Sequence, residues 1–202
     1  SEAVAMSPDL LINRMETLKN ISISNKKCIV ITNLMGYLRY LPTKKEYLSS
    51  IVELSVGSLI SPADLFKKMC SIGYERETIV TNTGEVGLRG FVVDVFPIGE
   101  DNPVRIEFFG DEIESIRYFD SNSQKSISDV NKITIYPYFE FLTNVEVENE
   151  KFGKQKYLPD YTNVSSIIEY LDNSYTIFKD YSQLEVSYKN IVEEMMTYQQ
   201  SR

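Results

Sequence analysis

At 202 residues, 43% of them apolar, the chain is long enough for one or two domains with a packed core. Its 21 Lys and Arg stand against 29 Asp and Glu, a net charge of −8. That balance argues against a long basic groove for phosphate backbones and leaves room for a local basic spot that meets an acidic protein surface.

Histidine is absent, which removes the commonest general base, the Ser–His and Cys–His nucleophile pairs and the commonest zinc ligand together. Ser7-Pro8 opens the first predicted helix, because Ser caps free N–H groups and Pro at the first helical position loses nothing by lacking its own. Leu11, Ile12, Met15 and Leu18 form its apolar stripe. Lys27 to Thr32 reads as a short buried strand, and the turn-rich Asn33 to Gly36 follows. Helix then strand has an α/β flavour, but a single such unit makes no α/β domain, so the chain reads as starting partway through one.

From Pro42 the character changes. Lys44 to Ser50 is helical in propensity and Ile51 to Val56 reads as a strand. Ile60-Ser61-Pro62-Ala63-Asp64-Leu65 is the clearest helix start: Ser61 caps, Pro62 fills the first turn, Asp64 reaches back, and Ile60 with Leu65 forms a hydrophobic staple. Leu65, Phe66, Met69 and Cys70 give the buried face, and Gly73 ends the helix. Cys28 and Cys70 lack CxxC spacing and are expected as buried thiols in a reducing compartment.

Gly84 to Asp120 organises the rest of the chain. It holds three β-rich runs joined by two turn signals, the pattern of a small antiparallel meander. Val104 to Phe109 alternates with period two, so Val104, Ile106 and Phe108 share one face, and Arg105, Glu107 and Phe109 the other. Phe109 on a polar face is either a satellite packing residue or an aromatic anchor for a partner. With Arg89 on a neighbouring run, an Arg–Arg–Phe cluster has the composition of an interface hot spot, provided the runs pair in suitable register. Tyr74 to Val80 leads into the meander, and Lys132 to Tyr136 closes it. Asn144 to Pro159 is a charged connector. Val164 to Leu171 reads as a short apolar helix, Tyr175 to Phe178 as a strand, and Tyr181 to about Gln199 as an amphipathic helix. This tail has too few elements for its own core and is expected to rejoin the first segment.

Nothing in the chain assembles a catalytic site. Asp111, Glu112 and Glu114 beside Gly110 read as solvated edge charges, since strand neighbours point to opposite faces. Neither a GxxxxGKS/T phosphate loop nor GxGxxG is present. No catalytic residue, cofactor or metal is therefore expected. The sequence has no run of eighteen apolar residues and no basic-then-apolar leader, which points to a soluble cytoplasmic protein.

Gly84-Glu85, Leu88-Arg89-Gly90, Asp94-Val95-Phe96-Pro97, the run from Arg105 to Ile113, Ile116-Arg117, Phe119-Asp120 and Gln124-Lys125-Ser126 together resemble the UvrB-homology module. That module is shared by the excision-repair protein UvrB and the bacterial transcription-repair coupling factors (Mfd). Weaker similarity runs from Ser7 to Asp172, and the coupling factors are the nearer kin, through Ser7 to Leu11, Arg14-Met15 and Asn163 to Leu171. The resemblance implies an α+β fold in which residues 42–138 form an antiparallel β-meander with packed helices. Residues 1–41 and 139–202 would be partial α/β segments of a degenerate helicase-like domain.

It also implies a non-catalytic module that binds the damage-recognition ATPase UvrA and recruits excision repair to stalled transcription. The module would sit within a longer ATP-dependent DNA translocase. UvrA contact in the family is attributed to positions that fall on Arg89, Arg105 and Phe109, with Glu107 and Phe91 completing the partner-binding set. Gly87 departs from UvrB proteins, which carry another Arg there, and Phe91 replaces a small residue common in the coupling factors. The alternatives are a UvrB-like piece of the excision nuclease, or a module that masks or braces other domains of its own chain. Direct contact with nucleic acid or membrane is not expected.

Overall fold

A computed structural model describes residues 7–24, 26–143, 145–151 and 153–200. The first helix, α1 (Pro8–Ile23), starts where expected, with the Ser7 side chain accepting from the Leu10 N–H. Met15 and Leu18 turn into the core. Lys27 to Thr32 forms no strand: it is irregular and exposes Cys28, Ile29 and Ile31. A strand pattern needs a neighbour to complete its hydrogen bonds, and no described segment lies alongside this one as a ladder partner. Cys70 is only partly buried.

A short turn of helix, α2 (Leu34–Tyr37), leads to β1 (Leu41–Pro42) and α3 (Lys44–Ser49). Thr43 and Glu46 make a full capping box at α3, each satisfying the other's backbone N–H. After β2 (Val52–Ser55), α4 (Pro62–Ser71) begins as the sequence predicts. Ser61 Oγ accepts from the Asp64 N–H at 3.0 Å and donates to the Asp64 carboxylate at 2.7 Å.

The meander is larger than expected. Six strands lie in chain order: β3 (Glu75–Arg76), β4 (Glu85–Arg89), β5 (Val92–Val95), β6 (Val104–Phe109), β7 (Glu112–Phe119) and β8 (Ser126–Val130). All neighbours are antiparallel except β3 and β4, which run parallel. Gly90 at φ +60° splits the run from Val86 to Phe96 into β4 and β5. Tyr74 to Val80 supplies only the two-residue β3. The closing strand is the polar β8, whereas β9 (Lys132–Ile135) leaves the meander and pairs with β2 in a separate two-stranded sheet. The β8 side chains are mostly exposed, so no apolar alternation marks it in the sequence.

The core lies between α4 and one face of the meander, and Leu65 and Met69 belong to one buried cluster with Val86, Val93, Ile106 and Ile116. It continues without a break through Tyr47 and Leu54 to Met15, Leu142 and Tyr170. Gly84 marks a tight passage: it sits at φ +91°, and a Cβ there would lie 2.2 Å from the Tyr138 ring.

The tail rejoins the first segment. A one-turn helix, α5 (Leu158–Tyr161), precedes β10 (Val164–Ser165), which pairs with β1. Ser165 and Tyr170 both donate to the Pro42 carbonyl. The predicted helix from Val164 to Leu171 is thus a strand followed by a 3-10 helix, Ile167–Tyr170, because β1 offers Val164 and Ser165 a ladder. Tyr175 to Phe178 is not a strand either, and Tyr175 and Ile177 face solvent. The last helix, α6 (Tyr181–Gln200), ends the described chain. No helix among the described residues is long and apolar enough to cross a membrane.

Candidate functional site

Register decides what the polar face of the meander holds. Gly87, Asp94, Arg105, Arg117 and Asp129 form one row across β4 to β8, and Arg89, Val92, Glu107 and Ser115 form the next. Arg89 and Arg105 are therefore not on adjacent strands. β5 runs between them, and its Asp94 joins them.

Asp94 is 3% exposed. Its Oδ1 accepts from Arg105 Nε at 2.7 Å, and its Oδ2 accepts from Arg105 Nη2 at 2.8 Å and Arg89 Nη2 at 2.6 Å. The bidentate fork fixes the Arg105 plane. Arg105 also donates to Gln124 Oε1 at 3.2 Å and stacks over the Phe119 ring at 4.5 Å. Bonding to Asp94 raises the pKa of Arg105 further, against the opposing effect of burial. Two guanidiniums share one carboxylate, so one positive charge remains in excess, and it lies nearer Arg89, whose side chain is 48% exposed against 16% for Arg105.

Glu107 is engaged within the sheet: it accepts from Arg117 and, at 2.9 Å, from the Ser115 hydroxyl. Phe109 is 80% exposed at the end of β6. Phe91 is exposed at the neighbouring hairpin tip, where its carbonyl accepts from the Phe108 N–H at 2.9 Å and brings the two tips together. Leu59, bridged to Glu112 opposite Phe109, adds a third exposed apolar residue at this end of the sheet.

Sequence reasoning named Arg89, Arg105, Glu107, Phe109 and Phe91 and missed Asp94, Arg117, Gln124 and Leu59. Asp94 carried a readable signal, a lone carboxylate in the run Val92-Val93-Asp94-Val95. Gln124, placed by a turn at φ 60°, stood only within the Gln124-Lys125-Ser126 motif of the resemblance, and nothing local announced its contact with Arg105. Among the described residues no group of His, Cys, Asp and Glu gathers in a way that could hold a metal ion.

Residues 52–141, from β2 through α4 and the meander to just past β9, match the family model of the UvrB interaction domain. Over 146 residues, 72% of this chain, the sequence is 34% identical to the transcription-repair-coupling factor of Bacillus subtilis (strain 168). The chain carries a UvrB interaction domain of the transcription-repair-coupling-factor type. A second relative, the transcription-repair-coupling factor of Staphylococcus aureus (strain NCTC 8325 / PS 47), is 35% identical over 147 residues. The matched stretch is 12% of the length of each of these relatives. Within the UvrB interaction domain, Gly87 has a steric reason to be glycine. A Cβ there would stand 2.9 Å from the Glu77 carbonyl oxygen, so a larger residue requires the strand-edge segment to move.

Proposed function

We propose that this chain is the non-catalytic docking module of a transcription-repair-coupling factor and that its partner is a UvrA-type damage-recognition protein. The observation that carries this reading is Phe109. A large aromatic is displayed at the end of a strand whose other outward residues, Arg105 and Glu107, are held in ion pairs. Aromatic and Arg residues that become desolvated on association are the usual sources of interface energy. Asp94 holds Arg105 in one orientation, so little side-chain freedom remains to be lost when a partner accepts its outward donors. Arg89 supplies the excess positive charge for an acidic or carbonyl-rich surface, and Phe91 and Phe109 supply apolar contact. Residues 1–41 and 139–202 fit the reading as remnants of a degenerate helicase-like domain that frame the module.

The test is titration of the chain against UvrA, wild type beside Phe109→Ala and Arg105→Ala, with folding checked by circular dichroism. A true anchor lost should weaken binding by about thirtyfold, roughly 2 kcal/mol. Phe109→Ala is the cleaner arm, because Arg105→Ala also deprives Asp94 of its bidentate partner. Folded variants that bind UvrA as tightly as wild type would overturn the reading.

A further inference from the structure

A second surface lies around the edge of the same sheet. A groove of about 540 Å³ runs between α4 and the free edge of β4. Phe66 and Leu88 form its apolar lining, and Lys67, Arg76, Glu77 and Arg89 its polar rim. Three cations against one carboxylate make this a basic spot on a chain of net charge −8. The Arg76 guanidinium lies over the Phe66 ring at 4.9 Å, which keeps it at the groove mouth.

The backbone here is also unfinished. Among the described residues, β3 pairs with only Glu85 and Val86 of β4, and the last bond on that side runs from the Glu77 N–H to the Val86 carbonyl at 2.9 Å. Successive residues of a strand turn their N–H and C=O to alternate sides, so Leu88, two residues on from Val86, directs both toward the same side, beyond the end of β3. An open edge beside an apolar floor is a template for strand addition.

We propose that this groove binds an extended acidic segment of a partner protein. The segment adds along β4 at Leu88, seats an apolar side chain over Phe66 and Leu88, and places carboxylates against Lys67 and Arg76. The rim charge selects acidic over basic sequences, and the outward N–H and C=O of Leu88 select an extended backbone over a helix. This surface is separate from the face that displays Phe109, and only Arg89 borders both.

The probe is a fluorescein-labelled decapeptide of alternating glutamate and valine, titrated with the intact chain and followed by anisotropy. A lysine–valine decapeptide is the control. The acidic probe should bind saturably and the basic one should not. The double variant Lys67→Glu, Arg76→Glu should weaken binding by about tenfold or more. Both side chains are exposed, so the fold should survive, and Lys67→Gln, Arg76→Gln serves as a gentler second arm. Amide exchange at Leu88 should slow in the complex. Phe109→Ala should leave the probe's affinity unchanged, which keeps this result distinct from the UvrA titration. Equal binding of the basic probe, full affinity in the charge-reversed variant or loss on Phe109→Ala would each overturn the proposal. So would self-association, seen by light scattering, that the Lys67→Glu, Arg76→Glu variant abolishes.

Discussion

Asp94 accepts from two guanidiniums while almost wholly removed from water, and the geometry of the polar face depends on it. Removing one partner of a buried ion pair leaves the other charge desolvated and uncompensated, the costly case. Asp94→Ala is expected to cost about 3 kcal/mol in urea unfolding. Asp94→Asn, which keeps an accepting oxygen, should cost less. Phe109→Ser should change stability by no more than about 0.5 kcal/mol, since the side chain contacts mainly solvent. Equal losses from Asp94→Ala and Phe109→Ser would mean that the buried carboxylate is not a structural centre. The two residues also differ in legibility. The place of Phe109 follows from period-two alternation within its own strand. The role of Asp94 depends on which strands flank β5, and no local pattern states that.

Caps were the most readable elements because every atom of a cap lies within four residues. Ser61 begins α4 as its sequence indicates, and Ser61→Ala should cost about 1 kcal/mol in thermal or urea denaturation. Ser61→Asp, which retains an accepting oxygen, should restore most of that loss. An alanine variant as stable as wild type would show that packing of Leu65 and Met69 alone holds the helix start. Strands were less readable. Lys27 to Thr32 and Tyr175 to Phe178 have strand composition but no ladder among the described residues, while polar β8 has a ladder without strand-like composition. In each case the neighbour decided, not the propensity.

At the scale of the molecule, one core links α1, the meander and the tail, and tyrosines sit at its joints. Tyr47 and Tyr170 meet edge to face at 6.2 Å, and Tyr74 donates to the Tyr136 carbonyl at 3.0 Å. Burial raises the phenol pKa of Tyr47, Tyr74 and Tyr170 well above the ordinary value of 10.0. Burial, and then its hydrogen bond to Glu100, push Tyr118 up to about 12. A folded-state pKa above the unfolded one means that the stabilisation is complete below pH 10.0 and lost as pH rises past it. In an alkaline titration the phenolate absorbance of Tyr47, Tyr74 and Tyr170 should therefore appear only together with loss of circular dichroism. Ionisation of all 14 tyrosines near pH 10.0 with the fold intact would contradict this picture.

The residues alone determined the starts of α1 and α4, the two faces of β6, the acidic balance and the lack of histidine. Each of these depends on composition or on atoms a few positions apart. Tertiary structure decided that Arg89 and Arg105 meet through Asp94, that β9 leaves the meander for β2, and that β4 keeps an open edge. Alternation tells a strand which side chains face inward. It does not tell the strand its neighbour, because the missing hydrogen bonds are supplied by segments far away in the chain.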